Sequence, residues 1–364
     1  MNRFKVFWSV IFLMYVSTSF ACRYTIREIG FSTLSKVTYI VYRVDENTAL
    51  FPKQLSLSFS ESNVKTFGLN IKDNASNPVV NFVKQQKLSL PVYIMADPNG
   101  QMLPISVDQF NGLKEAILFS PVQKQLESEL PSIYATVLLV EGENAVANEL
   151  ARKRISNSCQ RIDNIMPNMP KQVENGPNMV IISKDNFEQE KVVLWSLGIK
   201  KIPQQPIAFV VYGRGRIIGE KISFEEIKGE KVYKLLSIIG ADCECGLDRK
   251  WMLGYQIPLN WQKNTQQILS DKLGFDVDNP MILTEMSRIL AIENKIAKDP
   301  DGVSFEPIVI DLDKEFNDVP EINHFDVKKP KESVFQINKI IIYSILILIC
   351  LVIIGAFLVM RKKT

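Results

Sequence analysis

The chain has 364 residues, with 43 Lys and Arg against 40 Asp and Glu, for a net charge of +3. Its basic residues are scattered among acidic ones, which excludes the single-sign stripe of a nucleic-acid-binding surface. One His in the whole sequence excludes a two-His relay, and no stretch carries a metal, phosphate or cofactor signature.

The first segment, residues 1–21, opens with MNRFK, continues with an apolar run of about 11 residues and ends in STSFA. A basic start, a short apolar stretch and small residues at Ser19 and Ala21 predict a secretory signal peptide cut before Cys22. The apolar run is short for an anchor. Cys22 as first mature residue leaves open an acylated lipoprotein, although Ser19 stands where such signals carry an aliphatic residue.

Taken in order, the exported part predicts a strand at 36–44, a strand at 63–71 and a helix at 77–88 with Pro78 in its first turn. Pro91 then opens an apolar hairpin that closes through Asp97-Pro98-Asn99-Gly100, and a helix is predicted over 107–130. The same order returns as a strand at 134–142, a helix from about Asn144, a strand at 178–183 and a helix at 186–199. It ends with a hairpin from Pro206 to Gly215 and a helix over 223–240. Nine positions separate proline from glycine in both copies, and the copies are offset by 115 residues. A repeat of that length predicts two duplicated α/β domains, at 22–131 and 132–242.

The helix that runs into a proline opening an apolar hairpin resembles the thioredoxin fold, here twice over. The resemblance implies that Pro91 and Pro206 are the cis prolines of the two domains. It also implies a redox pair just after each first core strand, at a helix N-terminus that lowers a thiol pKa. The corresponding stretches read VDENTALFPKQ and GENAVANELARK and contain no cysteine. Cys159 falls near the far end of the helix from Asn144. Both copies therefore read as non-catalytic.

Four cysteines lie outside the C-terminal apolar stretch: Cys22, Cys159, Cys243 and Cys245. Export permits disulfides, and three full pairings remain open. Cys243 and Cys245, in GADCECGLDRKW, admit three readings. One is a structural staple to Cys159 or Cys22. Another is a redox pair, whose one-residue spacing makes a strained, oxidising ring. The third, a zinc site, has too few ligands. GRGRIIG (213–219) reads as a hairpin turn, since it lacks phosphate-loop spacing and precedes a strand pattern. His324 reads as a solvated linker residue.

Residues 243–337 form a helical extension and tether, with helices predicted at 261–275 and after Asn279-Pro280. Residues 340–360 carry no charge and are followed by RKKT, so a transmembrane helix is expected over 338–360 with a cytoplasmic tail at 361–364. The whole reads as a single-pass protein with its bulk on the extracytoplasmic side: periplasm, cell surface or endoplasmic reticulum lumen. By resemblance to the non-catalytic modules of multidomain oxidoreductases, its expected role is to bind or present a protein partner. The alternative is a thiol–disulfide oxidoreductase or isomerase using Cys243 and Cys245.

Overall fold

A computed structural model describes residues 24–107, 111–169, 171–240 and 253–292. Their strands form two four-stranded sheets. In the first, β1 (Tyr39–Asp45) pairs in parallel with β2 (Val64–Asn70) and antiparallel with β3 (Val92–Ala96), which pairs with β4 (Met102–Ile105). In the second, β5 (Thr136–Val140) pairs in parallel with β6 (Asn178–Ile182) and antiparallel with β7 (Ile207–Tyr212), followed by β8 (Arg216–Ile222). The orders are β2-β1-β3-β4 and β6-β5-β7-β8, so the repeat seen in sequence is a repeat of topology. Every residue of β5 (TVLLV) is buried, because both faces of its sheet are covered.

Local chemistry sets the helices. In the first copy α2 (Lys53–Ser58) is a single short crossover, and α3 (Pro78–Gln85) starts on Pro78 beneath an Asn77 cap. The single helix expected over 107–130 is instead α4 (Leu113–Leu118) and α5 (Pro121–Glu129). Pro121 has no N–H to continue a helix, and Ser120 and Gln123 form a capping box that starts a new one. In the second copy α6 (Ala145–Ile165) is the long crossover, and α7 (Lys191–Ser196) fills only part of 186–199. Gly229 likewise divides 223–240 into α8 (Phe224–Lys228) and α9 (Lys231–Ile239). In the extension, α10 (Lys263–Leu273) and α11 (Pro280–Ile292) follow the expected helices, separated by Gly274 at φ 76°.

The cores do not respect a boundary at 131/132. An N-terminal helix α1 (Ile26–Gly30), unforeseen in the sequence, puts Tyr24, Ile26, Ile29 and Phe31 into the core of the second sheet. Val192 and Trp195 of α7 cross the other way, and the Trp195 ring lies 6.0 Å from that of Tyr39 in the first sheet's core. The opposite face of the first sheet has its own core, formed with Val79, Val80 and Val83 of α3.

The extension laces the two sheets together. Tyr255 and Ile257 bond to the second sheet, through Ile217 N to Tyr255 O (2.6 Å) and Ile257 N to Gly215 O (3.0 Å). Asn63, beside the first sheet, donates to Ile257 O and accepts from Leu259 N. Tyr39 donates to Gln256 O at 2.9 Å. This extended strap has no helical or alternating pattern in sequence.

Candidate functional site

The position after β1, where the resemblance places a redox pair, is occupied by a loop. The Arg43 guanidinium donates to Leu50 O (3.2 Å) and to the carboxylate of Asp45, fixing this loop over the sheet. Phe51 meets Tyr93 edge-on at 6.0 Å. Tyr93 lies two residues beyond Pro91, whose peptide bond to Leu90 is cis. Leu50 is left 76% exposed, so this corner offers apolar surface in place of thiols.

The equivalent corner of the second repeat is shut. Glu143 N and Asn144 N donate to Pro203 O and Gln204 O, and Asn148 exchanges two hydrogen bonds with the backbone of Gly142. A Cβ on Gly142 would stand 2.7 Å from the carbonyl carbon of Gln205. Among the described residues the cis peptide is Leu90–Pro91; Gln205–Pro206 is trans, which departs from the expected pair. The backbone contacts that seal this corner come from the residues just before Pro206.

Among the described residues Cys159 forms no disulfide. It sits in α6, 8% exposed, and burial pushes its pKa up to about 12. A thiol held protonated in an apolar core is inert towards exchange. Its expected bonding partners Cys22, Cys243 and Cys245 lie outside the described residues, as do His324, the signal segment and residues 340–360. Among the described residues, no helix is long and apolar enough to cross a membrane, and no group of metal-ligating side chains gathers.

Two hollows that share lining residues adjoin the first sheet. The larger, about 480 Å³, lies along β2, an edge strand. Val64 and Thr66 from one face of β2 and Lys65 and Phe67 from the other line it, together with Ser56 and Phe59. Ser56 and Thr66 share a hydrogen bond of 2.6 Å, which ties α2 to the strand. The backbone of Ala49 and Leu50 presses on Gly68, where a Cβ would stand 2.1 Å from Ala49 O. Leu50, Leu57 and Phe67, at 76%, 62% and 50% exposure, belong to the loop, helix and strand that make up this edge, with Phe67 on the opposite face of β2 from the one α2 covers.

The smaller hollow, about 160 Å³, lies beyond the start of β2 and is lined by Lys36, Ser62, Asn63, Arg214, Gln256 and Glu61 among others. Lys36 donates to Ser62 O at 2.7 Å, and burial followed by the charge of Arg214 lowers its pKa. Arg214 is paired with Asp278, lies over the Trp261 ring at 5.2 Å, and has its pKa lowered mainly by burial. Its Nε and the Oε1 of Gln256 are buried and make no hydrogen bond. The sequence signalled Arg214 only as part of a turn, and the turn is real: Gly213 and Gly215 have φ of 55° and 71°. Lys36, Leu50 and Phe67 carried no signal at all, because each acquires its role from long-range packing.

No protein-family model matches the chain, and no curated protein matches it. A solved structure of the first two thioredoxin domains of Eps1p from Naumovozyma dairenensis aligns at 12% identity. It covers 59% of this chain and 97% of that one, with a TM-score of 0.20. That score is too low for the likeness to assign anything. The two four-stranded mixed sheets are consistent with thioredoxin-like domains in tandem.

Proposed function

We propose that the chain is a non-catalytic, membrane-anchored binding protein that holds a protein partner on the extracytoplasmic side through the edge of its first sheet. The observation that carries this reading is the exposure of Leu50, Leu57 and Phe67 on edge strand β2 and the segment before it, a segment that contains no cysteine. Large exposed apolar side chains grouped at one place mark interaction surfaces more often than singly scattered ones do. An unpaired strand edge supplies main-chain donors and acceptors to the same partner. The second repeat serves as the rigid base, its equivalent corner closed by backbone contacts. Residues 340–360 anchor the chain.

The test is site-specific photo-crosslinking in native membranes, with the probe at Phe67 and a control probe at Val146, an 81% exposed position in the second repeat. Reproducible protein adducts from position 67 and none from 146 are expected. Equal yields at both positions, or none at either, would overturn the reading.

A further inference from the structure

We propose that the edge of β2 takes an extended peptide antiparallel to the strand, with the peptide's C-terminal carboxylate seated in the hollow lined by Lys36 and Arg214. This inference rests on the edge-binding reading above and adds the chemistry of the occupant.

The two hollows adjoin. Lys36, Ser60, Ser62 and Asn63 line both, so a chain laid along residues 64–67 is directed towards the smaller one. The smaller hollow lies at the start of β2. A chain that ends there therefore runs from the end of β2 towards its beginning, which is the antiparallel sense. Both faces of β2 contribute side chains, so alternate residues of the peptide meet Val64 and Thr66 on one side and Lys65 and Phe67 on the other. Main-chain pairing along the edge holds the peptide, and these contacts select its side chains.

The polar groups at the closed end fit a peptide terminus better than a free anion. Lys36 and Arg214 supply positive charge, and the Arg214 Nε is a buried donor without an acceptor. Against them stand Glu61 in the lining and Asp278 on the far side of the guanidinium. Inorganic phosphate meets that mixed field as a single tetrahedral ion, with its P–OH as its one kind of donor. A C-terminal residue brings a carboxylate for the donors and an amide N–H for an acceptor, and the unpartnered Gln256 Oε1 is such an acceptor. At about 160 Å³ the hollow has the volume of roughly five waters, enough for a carboxylate and the carbon that bears it.

The full-length chain is titrated by fluorescence anisotropy with a labelled octapeptide pool carrying Val, Ile or Thr at alternate positions and a free C-terminal carboxylate. The same pool is titrated as its C-terminal amide. The free acid should bind about tenfold more tightly than the amide, the loss expected for a buried charge-assisted contact. Lys36→Ala, at an exposed backbone position, should weaken the free acid about five- to tenfold and leave the amide unchanged. Phe67→Asp should weaken both pools. Equal binding of acid and amide overturns the carboxylate site while leaving the edge surface intact. Free-acid binding that ignores Phe67→Asp overturns the edge reading itself. Inorganic phosphate that saturates the hollow, in a chain that binds neither pool, identifies a free-anion site and overturns the peptide.

Discussion

A thiol acts as a nucleophile only after losing its proton, and Cys159 keeps its proton because α6 turns it into the core. Among the described residues its Sγ finds one weak acceptor, Asn178 O at 3.9 Å, and no cation to favour the thiolate. The consequence for stability has a definite sign. Burial raises the folded pKa from 9.0 to about 12, so the unfolded chain releases this proton first as pH rises. The contribution is fully present below pH 9 and falls by up to about 1.4 kcal/mol per pH unit above it, until the folded thiol also titrates. Cys159→Ala removes that dependence. Urea unfolding at about pH 8 and about pH 10.5 should show the variant gaining on the wild type by roughly 1–2 kcal/mol across the interval. A constant difference between the two proteins would mean that the thiol is not buried as described.

The hairpin β7–β8 shows how an element of ordinary sequence acquires a special task. Gly213 at φ 55° and Gly30 of α1 touch backbone to backbone; a Cβ on Gly213 would stand 2.3 Å from the Gly30 carbonyl. That approach delivers Arg216, which is completely buried, to a set of main-chain oxygens. Its Nε donates to Gly30 O, and its Nη atoms donate to Ser32 O, Leu34 O and Gly254 O. One planar guanidinium thus fastens the N-terminal segment and the extension to the second sheet. Lysine carries the charge but not the fork, so Arg216→Lys should leave several carbonyls unsatisfied and cost about 2–4 kcal/mol of stability. Denaturant melts of the purified variant check this, and a change under about 0.5 kcal/mol would contradict it. The strands of this hairpin were legible because apolar runs and turn glycines are local signals. Arg216 was not, since within RGRII it reads as a polar turn flank and its four acceptors lie 38 to 186 residues away. The same reason hid α1, whose five residues are too few to display a period, and the strap through Tyr255 and Ile257. In the candidate site, the missing cysteines after β1 and β5 were legible, whereas the exposure of Leu50, Leu57 and Phe67 was not.

At the scale of the molecule, the sequence repeat and the folding unit are different things. Two copies of one topology were visible as two domains, yet the second sheet's core is completed by Tyr24, Ile26, Ile29 and Phe31 from ahead of the first sheet. Each of these side chains is at most 3% exposed. At about 1.5–3 kcal/mol for each buried side chain, four of them represent roughly 6–12 kcal/mol. That is comparable to the whole stability of an ordinary domain, about 5–15 kcal/mol. A fragment spanning 119–292 should therefore fail to fold, even though it contains α5 and every strand of the second sheet. Supplying a synthetic peptide of residues 24–35 should restore its structure in trans, because Arg27 and Arg216 supply specific anchors for that segment: Arg27 donates to Leu130 O, Pro131 O and Ile133 O. Near-ultraviolet circular dichroism of the fragment, with and without the peptide, decides the matter. A native-like spectrum without the peptide would show that the second sheet is an independent domain. In the intact chain the same lacing, with Trp195 of the second repeat packed on Tyr39 of the first, makes the two sheets one cooperative unit. Tryptophan fluorescence and far-ultraviolet dichroism should then report coincident unfolding midpoints.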